Sequence, residues 1–238
     1  KAALIEAVRD LAEVLVYGDQ HDESYFEVFL ETQMLQLLLG LLKMGDRDIA
    51  VQLVQTLSIL VENLKDKNFL YYILSNNYIN DLIRSGLDTT TNKATGETTT
   101  TTSSSSSADA AHEGDLLAYY VSFLKTLSLR MDAHSINFFF NERDGTFPLY
   151  SEAIKLFNHK DNMVRVSVRV LTLNVYKVDL PPLRKWLVER SAPSYFHDLC
   201  SLFRRLCAHL GSLVLSSKHT DHKHLDNCLA EISDVLSY

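Results

Sequence analysis

The sequence predicts an all-α fold, an armadillo/HEAT-like helical solenoid interrupted by one long disordered loop. Three observations predict it. Apolar residues recur at helical spacing nearly everywhere, while strand-like alternation is short. Only four Pro and eight Gly punctuate 238 residues, few for a fold built on tight turns. One segment is half Thr and Ser and contains no large apolar residue. A hydrophobic share of 46% excludes disorder throughout.

Residues 2–17 read as the first helix, with Leu4, Val8, Leu11 and Leu15 on one face and a stop near Gly18. Ser24 followed by Glu27 resembles a capping box. It opens a helix whose wide stripe of Phe26, Phe29, Leu30, Met34, Leu37, Leu38 and Leu41 runs until Gly45 and Asp46 end it. A third helix, roughly 47–64, carries Ala50, Val54, Leu57 and Val61 at steps of four, three and four. Leu116, Tyr120, Phe123 and Leu127 repeat these steps, as do Val164, Val168, Leu171 and Val175. Any amphipathic helix gives such spacing, so the stronger hint is NHKDNMVRVSVRVLTLNVY, a polar turn feeding a segment that is apolar on more than one side. Its β-branched residues Val166, Val168, Val170 and Val175 favour strand locally, but its length favours helix. Such a helix needs neighbours on both sides, and stacked hairpins supply them.

Residues 88–115 hold Thr or Ser at fourteen of 28 positions, too little apolar surface to repay the entropy of ordering. They read as a flexible insertion into one helical stack. The next helix begins near Leu116 and runs to about Met131. The rings of Phe138, Phe139 and Phe140 cannot all share one helical face, so some must bury between layers. Pro148 suits a first turn, Pro181 and Pro182 interrupt the chain after Val178, and Pro193 opens a helix bearing Phe196, Leu199, Cys200, Phe203, Cys207 and Leu210. A last helix from about Lys223 carries Leu225, Leu229, Ile232 and Leu236. The whole chain, 1–238, reads as one helical domain in which 179–238 is a C-terminal extension.

Lys and Arg number 23 against 30 Asp and Glu, and the net charge of −7 provides no footprint for a nucleic-acid backbone. Apolar runs such as LQLLLGLL fall far short of the roughly 20 residues that cross a bilayer, so no transmembrane segment is expected. No signal peptide is visible, and a chain that does not begin with Met reads as a processed form or a fragment. Cys200, Cys207 and Cys228 are an odd, clustered set, consistent with free thiols in a reducing compartment.

Candidate chemistry is sparse. His197, Cys200 and Cys207 share a helical face, yet zinc would need a fourth ligand such as Cys228 or His222, and the closely paired cysteines of a zinc module are missing. Cysteines packed along a helix are the simpler reading. His219, Asp221, His222 and His224 read as a solvated connection. No nucleophile elbow, phosphate loop or dinucleotide loop is present, so no enzyme activity, metal or cofactor is expected. Arg165 and Arg169, one turn apart, could join Arg130, Lys155 and Lys177 in a basic face for a phosphoinositide or an acidic peptide. The simpler alternative is that they solvate outer helical faces. Tyr71, Tyr72, Tyr78, Tyr119 and Tyr120 divide between core and surface in the same undetermined way. Protein binding is the best general function for an extended helical surface.

Several strings point further. GTFPLYSEAIKLFNHKDNMVRVSVRVLTLNVYKV contains Phe147, Pro148 and Leu149, and with VYGDQHDESYFEVFLE, VQLVQTLSILVENL, LYYILSNNYIN and LLAYYVSFLKTLSLRMDAHSINFFF it spans most of residues 1–178. In content and order these strings resemble the N-terminal domain of the FPL-domain family. The resemblance implies a helical, armadillo-like domain in a larger cytoplasmic protein, peripheral to endosomal, Golgi, lysosomal or vacuolar membranes. It implies a role in membrane trafficking and autophagy, mitochondrial turnover included. The partners it implies are proteins, with endolysosomal tethering-complex subunits or ubiquitin ligases as candidates. The leading function is therefore a noncatalytic interaction scaffold, with a ubiquitin-ligase-associated module or a phosphoinositide-binding module as alternatives. The family offers no catalytic residue set. Gly18, Asp19, Gln20, His21 and Asp22 match one of its turn motifs and Asn76, Asn77 and Tyr78 another. Locally, Asp19, Asp22 and the two Asn residues would cap helices or close turns, with Gly18 relaxing the backbone. Beyond Val178 the resemblance weakens.

Overall fold

Helices account for the regular structure. The computed structural model describes residues 1–75, 77–85, 107–215 and 222–236. Among them, the one departure towards β-structure is an isolated bridge between Asn141 and Thr146. The chain divides into two units, Lys1–Asp179 and Leu180–Tyr238.

The first unit runs α1 (Ala2–His21), α2 (Ser24–Glu31), α3 (Met34–Leu42), α4 (Arg47–Asn63), α5 (Lys67–Ser75), α6 (Tyr78–Ser85), α7 (Ser107–Leu129), a 3-10 turn (Ser135–Phe138), α8 (Pro148–Ile154) and α9 (Asn162–Lys177). Its core sits on α4, where Leu53, Val54, Leu57, Leu60 and Val61 are completely buried. That helix packs against α1, α3 and α7, and α7 packs in turn against α9. The helices that carry the four-three-four apolar steps are therefore neighbours, in the order α1, α4, α7, α9. Asp46 starts α4 by accepting hydrogen bonds from the Asp48 and Ile49 amides (3.1 and 3.3 Å), and Asp161 starts α9 by accepting from the Met163 amide (2.8 Å).

Polar ties pin the stack where backbone groups would otherwise be stranded. Thr56 Oγ1 donates to the Val8 carbonyl of α1 (3.4 Å), and Asn174 Nδ2 of α9 donates to Ser128 Oγ of α7 (3.1 Å). Tyr120 donates its hydroxyl to the Ile83 carbonyl at the end of α6 (2.7 Å). Burial, followed by the charge of Glu152, pushes its pKa upward, so the phenol stays a donor. Arg130 Nη2 reaches the Leu64 carbonyl just past α4. Both flanks of the Thr/Ser-rich segment thus belong to one packed unit.

Several expectations change. The first helix does not stop near Gly18 but continues to His21. The single helix expected from Ser24 to the Gly45 turn is two, bent by 57° where Gln33 adopts left-handed backbone (φ 48°). Ser24 makes no capping box. Its amide donates to Asp22 Oδ1 (2.9 Å), so the upstream carboxylate does the capping. The expected loop 88–115 is shorter at its C-terminal end, because α7 begins at Ser107. Ala108, Ala110 and Ala111 are strong helix formers, and the packed segment beyond Leu116 provides the nucleus onto which they add. The remainder of that call, residues 88–106, lies outside the described residues.

The valine-rich segment is helical as expected, and packing against α7 and α8 overrides its strand propensity. Only one of its apolar sides is covered, however. Val164, Val168, Leu171 and Val175 are buried, while Met163, Val166 and Leu173 remain exposed. Of the three adjacent rings, Phe139 and Phe140 are buried and Phe138 is half-buried against Tyr71 (centroids 5.5 Å apart).

The second unit comprises α10 (Pro181–Trp186), a π turn (Leu187–Ser191), α11 (Ala192–Leu215) and α12 (His222–Leu236). Pro181 occupies the first position of α10, where its missing amide costs no helical bond. The helical run then continues without a break into α11, so Pro193 falls in an existing helix rather than starting one. Leu183, Leu187, Tyr195, Cys228 and Val235 are its buried apolar residues. Cys200 and Cys207 are exposed, and all three cysteines are free.

Two consequences follow for stability. Leu57→Ala empties a fully buried position on α4 and should lower the unfolding free energy by about 2–5 kcal/mol. Leu37→Ala, on the exposed side of α3, should change it by less than about 0.5 kcal/mol, both read from urea titrations. His159 accepts the Asp161 amide at Nδ1 (3.1 Å), and its burial above all lowers its pKa from 6.5. The folded state then binds fewer protons than the unfolded chain. The stability due to neutral His159 is complete above pH 6.5 and is lost as pH falls below that value towards the folded pKa. His159→Gln should therefore lose less stability than the parent between about pH 7.5 and 5.5 in thermal unfolding.

Candidate functional site

The turn between α1 and α2 is set by one missing side chain. A Cβ placed on Gly18 would stand 2.6 Å from Tyr25 Cβ and 2.8 Å from its Cγ, so only a bare Cα lets α2 come this close. Gly18 is buried inside α1, which corrects the expectation that it relaxes a turn. Close approach, and not backbone freedom, explains it. Its carbonyl accepts the Asp22 amide (2.8 Å). Asp22 in turn accepts the Ser24 amide, and that bond holds its carboxyl below the usual carboxylate range.

Asp19 faces the other way. Its two oxygens accept the Lys65 and Asp66 amides (2.8 and 3.1 Å), tying the end of α1 to the entry of α5. His21 Nδ1 lies 2.8 Å from the Tyr17 carbonyl, and the two rings stack 4.1 Å apart. Gln20 is exposed. These five residues build a corner.

The other motif residues also shape the fold. Asn76 lies outside the described residues. Asn77 takes left-handed backbone (φ 43°) and its carbonyl accepts the Asp81 amide in the first turn of α6 (2.8 Å), while Tyr78 is half-buried. Phe147 is buried between Phe140 and Tyr150, with centroids 5.9 and 5.8 Å away. Pro148 opens α8 and Leu149 is completely buried.

What the corner leaves open is a groove of about 310 Å³ among α1, α2 and the start of α3. Leu15 and Phe29 form its buried floor; Val14 and Val28, 43% and 58% exposed, stand on its walls beside Leu11 and Tyr25. Ser24 and Thr32 are the polar side chains of the lining. Such a surface holds apolar side chains, and its lining contains no Asp, Glu, His, Cys, Lys or Arg.

The likeness to known proteins agrees with this corner and helical core. A family model named FPL, described as an uncharacterised conserved protein, matches residues 8–176. The chain belongs to the FPL family. The Protein CLEC16A homolog of Drosophila melanogaster is 38% identical over 242 residues, covering 100% of this chain and 21% of that protein. Protein CLEC16A of Homo sapiens is 38% identical over 239 residues (99% and 21%). Protein TRANSPARENT TESTA 9 of Arabidopsis thaliana is 36% identical over 221 residues (91% and 24%). The chain thus spans between a fifth and a quarter of the length of these relatives. No solved structure matches it. The FPL match ends close to the last residue of the first unit, Asp179. The animal relatives nevertheless align across the second unit too, so likeness does not stop at Val178.

In this FPL chain the expected pair Arg165 and Arg169 does not form an open basic face. Arg165 Nη1 donates to the His159 and Lys160 carbonyls (2.8 and 3.0 Å) and Nη2 to Asn162 Oδ1 (3.2 Å), so it closes the turn before α9. Arg169 is buried, its Nε without an acceptor. Lys155 pairs with Glu152 (2.6 Å). Among the described residues no three His, Cys, Asp or Glu side chains come together as metal ligands. No single described helix is long and apolar enough to cross a membrane. The bent pair α2 and α3 meets that length and composition together, but its Phe29, Leu35 and Leu38 are buried in the packed unit.

Sequence reasoning passed over the groove. Its signal was available in Val14, Tyr25 and Val28, apolar positions beside the stripe that the core uses, flanking a Gly without a turn to justify it. Gly18→Ala should destabilise the FPL unit by about 1–3 kcal/mol. The loss should shrink in a Tyr25→Gly background, which removes the clashing atoms. Gly40→Ala, with nothing within 4 Å, should be neutral or slightly stabilising; thermal unfolding of the four variants checks the set.

Proposed function

We propose that this chain is the noncatalytic protein-interaction scaffold region of a longer regulator of endosomal and vacuolar membrane trafficking and autophagy. In this reading the four neighbouring helices α1, α4, α7 and α9 are layers of an armadillo-like stack. The region works in the cytoplasm, peripheral to endosomal, Golgi, lysosomal or vacuolar membranes. The observation that carries the scaffold role is the open apolar groove at the α1–α2 corner, a preformed surface lined mainly by apolar side chains and by no charged one. Membership of the FPL family supports the trafficking setting, and the names of the family and of its relatives are not enzyme names. A region covering so small a share of its relatives fits a part that recruits, with other parts of the same protein acting on what it brings.

Endolysosomal tethering-complex subunits are the proposed partners. Titration of the purified chain with purified subunits of such a complex, followed by calorimetry, should show saturable binding to at least one of them. Absence of binding to every subunit would remove the direct scaffold role. Ubiquitin conjugates formed by this chain with only activating and conjugating enzymes would overturn its noncatalytic character.

A further inference from the structure

We infer that the α1–α2 groove receives an amphipathic helix from a partner protein, one whose apolar stripe is flanked on both sides by Lys or Arg. This deepens the scaffold reading and rests on it, because it names the chemistry of what the scaffold binds.

The shape argument comes first. The groove has a closed floor in Leu15 and Phe29 and open walls in Val14 and Val28. Successive large apolar side chains from one helical face, at i, i+3, i+4 and i+7, fill such a trough and leave the polar face of the incoming helix in water.

Charge selects among occupants. From Asp10 through Leu42 the chain contains no Lys or Arg, while Asp10, Glu13, Asp19, Asp22, Glu23, Glu27 and Glu31 fall in that stretch. These seven acids equal the whole net charge of −7, so the rest of the chain is balanced. Asp10 lies one turn before Val14 on α1, and Glu27 and Glu31 lie three positions after the lining residues Ser24 and Val28 on α2; all three are exposed. Asp19 is occupied by amides and Asp22 by its cap, which leaves Asp10, Glu13, Glu23, Glu27 and Glu31 as the exposed acids on or beside the two helices that form the groove. The last cation before this stretch, Arg9, donates to Gln52 of α4 (3.3 Å), away from the groove. An apolar trough between acidic rims complements a basic amphipathic helix in both steering and register.

The same rims disfavour the other occupants. A second copy would bring its own acids against these across a two-fold axis. An anionic membrane surface would be repelled. The chain's Thr/Ser-rich segment contains no large apolar residue to place in the trough.

The test uses the full 238-residue chain and three fluorescein-labelled peptides of about 18 residues. One has Leu at the helical spacing above with Lys and Arg on both flanks; the second has Glu at each basic position; the third scrambles the Leu spacing. Fluorescence anisotropy should give binding of the basic peptide at least about tenfold tighter than either control, weakening as salt rises. Val14→Lys with Val28→Lys should abolish binding with an unchanged melting profile, since both positions are exposed. Glu27→Lys with Glu31→Lys should invert the preference towards the acidic peptide. Equal affinity for the basic and acidic peptides overturns the proposal, as does binding unaffected by the Val14/Val28 variant. Concentration-dependent dimers in sedimentation that this variant abolishes would assign the groove to a second copy instead. Its loss of binding to phosphatidylserine vesicles would assign the groove to lipid. Partner binding retained by the Val14/Val28 variant, with no peptide binding to the parent, would overturn the groove proposal and leave the scaffold reading standing.

Discussion

A helix buried over more than half of its circumference must be enclosed by others, and α4 is such a helix. Leu53, Val54, Leu57, Leu60 and Val61 are all fully buried, and Ile49, Gln52 and Thr56 extend the buried arc past half of the helix. An amphipathic helix would need one neighbour; α4 needs three, and finds them in α1, α3 and α7. Its two buried polar side chains are accommodated within that enclosure. Gln52 Nε2 donates to Thr56 Oγ1 (3.3 Å), and the Thr56 hydroxyl donates in turn to the Val8 carbonyl, so burial strands neither group. Once α4 is enclosed, α7 is committed on one side and free to receive α9 on the other. The order of the layers follows from the apolar surface of a single element.

The corner at Gly18 is the second consequence. With α1 already held against α4, the short α2 has to turn back sharply, and the turn is possible because Gly18 presents no Cβ to Tyr25. Asp19 and Asp22 secure the turn from opposite sides, one bonded to the α5 entry and the other to the α2 amide. The left-handed Gln33 then directs α3 down onto α4. These constraints bring two helices together at one end and splay them above it. The apolar residues between them have a floor and no lid. The exposed groove is therefore a by-product of how the core is closed, and its position is as firmly specified as the core itself.

How much of this was legible depended on whether the controlling signal was local. Helix type, the start of α4 at Asp46 and the first-turn role of Pro148 are written in periodicity and capping chemistry over a few residues, and they could be read directly. The break at Gln33 could not. A left-handed non-glycine is imposed by packing, and nothing in MLQLLLGLL announces it. Gly18 was misassigned because glycine has two uses, and the close-contact use is visible only when its neighbour is known. Arg165 and Arg169 were read as a surface pair from their spacing alone. Spacing fixes the face they share but is silent on whether that face meets water or the preceding turn.

The exposed apolar surfaces of this unit are not equivalent, and the difference bears on specificity. On α9, Met163, Val166 and Leu173 are exposed along one side of a single helix. Any apolar partner can lie on such a stripe, since a single helix face sets neither register nor orientation. The groove differs in depth and in sign of charge. Its floor of Leu15 and Phe29 excludes water from an inserted side chain, which is where most of the free energy of recognition is concentrated. The exposed acids on or beside its two helices, Asp10, Glu13, Glu23, Glu27 and Glu31, disfavour acidic competitors, and like-charge rejection contributes to selectivity what apolar contact cannot. A surface that combines both discriminates between helices of equal hydrophobicity by the charges beside the stripe.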